Sequence, residues 1–168
     1  MNRAFSAALL VGGLTLCGAA NAALQCTVPA GAVLNFGEYD DSSAAARDAS
    51  VSIPIMCCRT SGRSEITPVT IAIGVSQDSG QINRRQMRNT RNADLMDYQI
   101  YLDSFGGTVW GDGVVGGVPK VQMISVTTPC VSGKQSVTAS PTLFGQVFPL
   151  QAVSVGDYAD TLTISIMP

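Results

Sequence analysis

Alternation of apolar and polar positions dominates the chain, most cleanly in its last stretch, Gly156 to Met167. After a Gly-Asp turn signal, Leu162, Ile164 and Ile166 fall on one side and Thr161, Thr163 and Ser165 on the other. This is the period of a strand with one buried face. Only Pro168 follows in the sequence, so the expectation is that another polypeptide pairs with this strand's second edge. The same period recurs in Ser50–Cys57, where Val51, Ile53, Ile55 and Cys57 oppose Ser50, Ser52, Pro54 and Met56. It recurs in Pro68–Val75 and in Tyr98–Asp103, with Tyr98, Ile100 and Leu102 on one face.

A first strand starts at Cys26-Thr27-Val28, breaks at Pro29-Ala30-Gly31 and resumes over Ala32–Phe36, which reads as an edge strand. Lys120–Val126, Gln135–Ala139 and Thr142–Leu150 are further strand candidates, and Ser42–Asp48 is a small polar loop. No segment sustains a helical period. About seven short strands with regular turn signals predict an all-β sandwich.

Residues 1–22 carry a basic start at Arg3, an apolar run from Ala4 to Leu16, and the small-residue site Ala20-Asn21-Ala22. They read as a secretory signal, which leaves residues 23–168 as one domain. The run is too short and too rich in Gly and Ala for a membrane anchor. Export places Cys26, Cys57, Cys58 and Cys130 in an oxidising environment, where two disulfides are the expectation. A bond between the adjacent Cys57 and Cys58 is strained, so Cys26 and Cys130 each take one of that pair.

Net charge is −2 and there is no histidine. Such modest acidity does not point to nucleic acid. The missing imidazole removes the commonest acid–base group and the usual triad member, and the cysteine spacing is wrong for a metal site. The expectation is a protein that is not an enzyme, with no catalytic residue, metal or cofactor. The run Arg84-Arg85-Gln86-Met87-Arg88-Asn89-Thr90-Arg91 reads as a solvated loop or edge strand with Met87 as its inward anchor, set against a cationic contact with an anion or surface. The Gly-rich region Phe105–Pro119 carries the single Trp110 and the apolar tip Val114, Val115 and Val118. It lacks the lysine and following helix of a phosphate loop. The tip is a candidate adhesive contact, set against an apolar hairpin tucked onto the sandwich.

The early CTV, Leu34–Asp40 (LNFGEYD), Val51–Cys57 (VSIPIMC), QMRN, Asp97–Asp103 (DYQIYLD), Val109–Gly113 (VWGDG) and Gly156–Ile166 occur in one order across nearly all of the predicted mature chain. Together they resemble the spore coat protein U domain family, which includes subunits of archaic chaperone–usher pili. The resemblance implies an incomplete immunoglobulin-like sandwich that lacks its last strand. It implies three partners: a periplasmic pilus chaperone that lends a strand, an outer-membrane usher, and a neighbouring subunit that later donates one. It also implies a Cys26–Cys57 bond, with Cys58–Cys130 as an extra bridge; the swapped pairing stays open.

The donor-strand groove is expected beside Leu162, Ile164 and Ile166, with Val33 and Phe36 facing them from the first strand. The protein would pass through the periplasm to a fimbrium, the cell surface or the medium. Only Ala23, Leu24 and Gln25 separate the cleavage site from Cys26, and three residues span about 10 Å. That is short for a donor strand. The expectation is therefore a terminal or minor subunit, structural or adhesive, that accepts a strand. The competing reading is a self-contained secreted surface- or carbohydrate-binding module.

Overall fold

The computed structural model describes residues 24–28, 32–60, 63–126, 130 and 138–167. The signal segment, the Pro29–Gly31 break and most of the Gln135–Ala139 strand candidate lie outside them. Among the described residues there are ten strands and no helix, arranged as an all-β sandwich. Several of the strands expected from the sequence are divided in two, which accounts for the higher count.

Five strands form the larger sheet, in the order β2 (Arg47–Ser52), β8 (Thr142–Val147), β6 (Leu95–Tyr101), β5 (Arg85–Asn89) and β9 (Tyr158–Ala159). Three form the smaller sheet, in the order β10 (Ile164–Met167), β4 (Glu65–Ile73) and β7 (Lys120–Val126). β1 (Leu24–Thr27) pairs with β3 (Met56–Arg59) alone. All ladder pairings are antiparallel.

The alternation in Ser50–Cys57 survives as burial: Ile53, Ile55 and Cys57 are buried, while Ser50 and Ser52 are exposed. The run is nevertheless two strands. Pro54 has no amide to give to a ladder, and the chain changes partners there. Before it, β2 pairs with β8, and the amides of Ile53 and Ile55 still donate to Pro141 O and Ala139 O. After it, β3 pairs with β1. Two disulfides fix this corner, Cys26–Cys57 and Cys58–Cys130. This is the pairing implied by the resemblance rather than the swapped one.

The last predicted strand is divided as well. β9 sits on β5 in the larger sheet and β10 on β4 in the smaller. Asp160 makes the crossing. Its carboxylate accepts hydrogen bonds from Thr161 N (2.7 Å), Gln77 N (3.2 Å) and Tyr98 Oη (2.7 Å), which hold the backbone out of a continuous ladder. The alternation runs through the crossing unbroken, with Leu162, Ile164 and Ile166 half-buried and Thr161, Thr163 and Ser165 exposed.

Between the sheets lie Ile53, Ile71, Ile73, Tyr98, Ile100, Ile124 and Val147. A fully buried aliphatic side chain of this size contributes about 1.5–3 kcal/mol. Trp110 is also in this core, with no exposed surface, and its Nε1–H donates to Ile71 O at 2.9 Å. It is therefore not part of an exposed contact loop. A buried indole needs an acceptor for its N–H, and the end of β4 supplies one.

The arginine run is likewise not a plain solvated segment. β5 lies between β6 and β9, so its inward positions are interior. Arg85 is completely buried, and Met87 and Asn89 accompany it on the same face. The outward Arg88 pairs with Asp78, and Arg84, just ahead of the strand, pairs with Asp97. A free cationic patch is not what these residues build.

Candidate functional site: an open strand edge over an apolar cleft

β10 pairs with β4 through Ile164↔Ile73, Ile166↔Ile71 and Met167↔Thr70. No strand among the described residues pairs with its other edge. Beside that edge a cleft of about 1160 Å³ opens between the sheets. Its floor is the core itself: Ile53, Ile73, Ile100, Leu143 and Val147 all line it. Leu162 and Ile164 form one wall, and Ile166 packs against the core next to them.

The facing wall is the segment Ala32–Phe36, which joins no ladder. Ala32, Leu34 and Phe36 are half-buried, while Val33 and Asn35 are exposed. Val33 lies at the cleft margin with 79% of its surface exposed, and Leu34 occupies the inward position. Period two explains this: Val33 and Phe36 are three residues apart and cannot share a face of an extended segment, whereas Leu34 and Phe36 can. The signal was in the sequence and points to Leu34.

Gly145 on β8 lets this segment lie close to the sheet. A Cβ there would fall 2.2 Å from Leu34 Cδ2 and 2.9 Å from Phe36 Cζ. Phe36 also stands edge-on to Tyr98, with centroids 6.1 Å apart. Arg47 Nε donates to Phe36 O, and Tyr39 Oη donates to Phe148 O while accepting from Gln151 N. Side chains thus pin the segment. Among the described residues, no backbone–backbone hydrogen bond involves positions 32–39. Two unpaired main-chain edges flank one apolar cleft.

Such an arrangement is suited to main-chain pairing and apolar packing. It offers backbone donors and acceptors along its edges and apolar sockets between them, which is what an extended peptide recognises. Two of the polar residues that line the cleft, Tyr98 and Asp160, are hydrogen-bonded to each other. Burial, reinforced by the Asp160 carboxylate, pushes the Tyr98 phenol well above its ordinary pKa, so it stays a neutral hydrogen-bond donor.

The Gly-rich loop lies elsewhere. Val114, Val115 and Val118 are 89%, 59% and 50% exposed. The loop is shaped from beneath by Asp112, whose carboxylate accepts from the amides of Val114, Val115 and Gly116. The Val114 amide is the main cause of a carboxyl pKa below the ordinary value. Gly117 has φ +61°, and a Cβ there would lie 2.7 Å from Gly111 N, so the tip closes only with glycine at that position.

The family model for the Spore Coat Protein U domain matches residues 14–165. No curated protein matches the chain. Among solved structures, the chain is similar to the CsuC–CsuE chaperone–tip adhesion subunit pre-assembly complex from archaic chaperone–usher Csu pili of Acinetobacter baumannii. Identity is 20%, with a TM-score of 0.48. The match covers 86% of this chain and 40% of that one.

Proposed function

Since the chain belongs to the Spore Coat Protein U domain family, we propose that it is a structural or adhesive subunit of an archaic chaperone–usher pilus or surface coat, assembled by accepting a donor strand beside β10. The open edge of β10 over a cleft that reaches the core carries this reading. A donated strand would pair with β10 through its main chain and fill the cleft with alternate apolar side chains. Left bare, the same edge invites edge-to-edge aggregation. That hazard gives a periplasmic chaperone its purpose, before an outer-membrane usher hands the subunit to its neighbour.

The test is hydrogen exchange on the disulfide-bonded protein with and without an extended peptide alternating Val or Ile with Thr. In the free protein, the β10 amides that face away from β4 are expected to exchange quickly. With peptide they should become protected, and those of Ile124 in β7 should not change. Amides of β10 already fully protected in a free monomer would instead indicate a self-contained binding module.

The position proposed for it is terminal or minor. Cleavage after Ala22 would leave Ala23, Leu24 and Gln25 ahead of Cys26, and Leu24 and Gln25 are already paired with Arg59 and Cys58. Residues committed to β1 are not free to complete a neighbour. Mass spectrometry of the exported protein addresses this directly, because a mature N-terminus well upstream of Ala23 would supply an arm.

For the adhesive role, the contact proposed is the tip formed by Val114, Val115 and Val118. Val114→Ser combined with Val115→Ser is expected to remove attachment to apolar surfaces and leave the unfolding free energy within about 0.5 kcal/mol of the parent, as usual for exposed positions. Undiminished attachment at equal export would rule the loop out.

A further inference from the structure

The charged residues that line the cleft are Glu38, Asp41, Asp157 and Asp160. All are acidic, and no lysine or arginine lines it among the described residues. None of the four belongs to an ion pair among the described residues, where the salt bridges join Arg59 to Glu65, Arg84 to Asp97 and Arg88 to Asp78. Glu38, Asp41 and Asp157 are exposed, and Asp160 is half-buried. Arg47, whose Nε donates to Phe36 O, lines a smaller pocket together with Glu38, and its charge offsets part of the four. Arg85 feels the charge of Asp160 from below, but it is sealed in the core.

All four lie on the two cleft segments that Tyr98 joins, with its ring against Phe36 and its hydroxyl on Asp160. Glu38 and Asp41 follow Phe36 within five residues, while Asp157 and Asp160 bracket β9 just before the chain enters β10. The lining of an apolar cleft therefore carries only negative charge, on a chain whose formal net charge is only −2. A cleft rimmed by one sign of charge raises the local concentration and association rate of an opposite charge.

We infer that the strand accepted beside β10 is basic: a segment of alternating apolar residues flanked by lysine or arginine that meets Glu38, Asp41, Asp157 and Asp160. This inference rests on the donor-strand reading above and names the chemistry of the donor. It disfavours a second copy of this chain as donor, because Leu24–Val28, ahead of its first break, contain no cation. Like charges across an interface suppress wrong partners, so an acid-flanked strand is disfavoured too.

Three synthetic peptides with the same Val/Thr alternation, ending in Lys-Lys, Ser-Ser or Glu-Glu, test it against the disulfide-bonded protein. The Lys-Lys peptide is expected to associate about tenfold faster than the Ser-Ser peptide at an ionic strength of about 0.01 M, and to lose most of that advantage at about 0.15 M. The Glu-Glu peptide should be slowest.

A variant carrying Glu38→Gln, Asp41→Asn and Asp157→Asn should bring the three rates together. No side-chain hydrogen bond holds these three residues among the described residues, and Asp160 is left in place because it builds the β9–β10 crossing. Equal rates for all three peptides on the parent protein would overturn the charge inference and leave strand acceptance standing. No binding by any of them would overturn both.

Discussion

Arg85→Ala is expected to lower the unfolding free energy by about 3 kcal/mol, a drop of roughly 10 °C in midpoint for a domain of this size. The guanidinium is fully buried, yet no carboxylate holds it. It donates to Gln99 Oε1 at 2.7 Å, Trp110 O at 2.9 Å, Gly74 O at 3.0 Å and, more weakly, Ile73 O at 3.4 Å. These acceptors belong to β6, the Trp110 loop and the end of β4, so one side chain ties three segments together. Alanine would leave buried carbonyls without donors, at about 1–3 kcal/mol each. A void would add to that.

One effect opposes the loss. Removing a buried cation also removes its desolvation penalty, which is what pulls the Arg85 pKa below its ordinary value. Water cannot readily replace the fork at a site with no exposed surface, so the orphaned acceptors should outweigh that relief. Arg85→Met separates the two contributions, because it refills the volume without supplying donors. Chemical denaturation should show Met recovering only part of the loss. A methionine variant as stable as the parent would mean that the hydrogen bonds contribute nothing net.

Arg85 also shows what the sequence concealed. The parity of RRQMRNTR was readable: with Met87 inward, Arg85 and Asn89 must share its face. Polarity argued the other way, because a lone arginine in a basic run is ordinarily solvated. What buries it is a ring of carbonyls supplied by Ile73, Gly74 and Trp110, and nothing local announces their arrival. Trp110 was hidden for the same reason. Its glycine neighbours signal a turn, while its burial depends on Ile71 O, 39 residues away.

The alternations themselves were reliable, since burial follows them in Val51–Cys57, in Ala32–Phe36 and in the final stretch. Sheet membership was not. Alternation continues through Asp160 although the chain changes sheets there, and the residues that turn it include Gln77 and Tyr98, far away in sequence. Among the described residues no strand pairs with the second edge of β10, while its partner on the first edge, β4, was not readable from the alternation.

The two disulfides are expected to separate stability from strand capture. Removing Cys58–Cys130, which closes a 72-residue separation, should cost about 4 kcal/mol by loop-closure entropy; Cys26–Cys57, at 31 residues, should cost slightly less. On stability alone the Cys58→Ala/Cys130→Ala variant should be the weaker protein. Strand capture should rank them in reverse. Cys26 anchors β1 to β3, and β1 is where the cleft wall Ala32–Phe36 is tethered at its N-terminal side. Beyond that tether, side chains alone hold the wall. Cys58–Cys130 joins β3 to a residue beyond β7 in sequence and includes no residue of β1.

Cys26→Ala/Cys57→Ala should therefore loosen the wall and weaken peptide binding beside β10 more than its own loss of stability would suggest. Cys58→Ala/Cys130→Ala should unfold earlier yet bind normally at temperatures where it is still folded. Paired denaturation and peptide-binding measurements on both variants decide the matter. Equal binding by the two folded variants would show that the Ala32–Phe36 wall keeps its place without the β1 tether, and that its packing over Gly145 and against Tyr98 is sufficient.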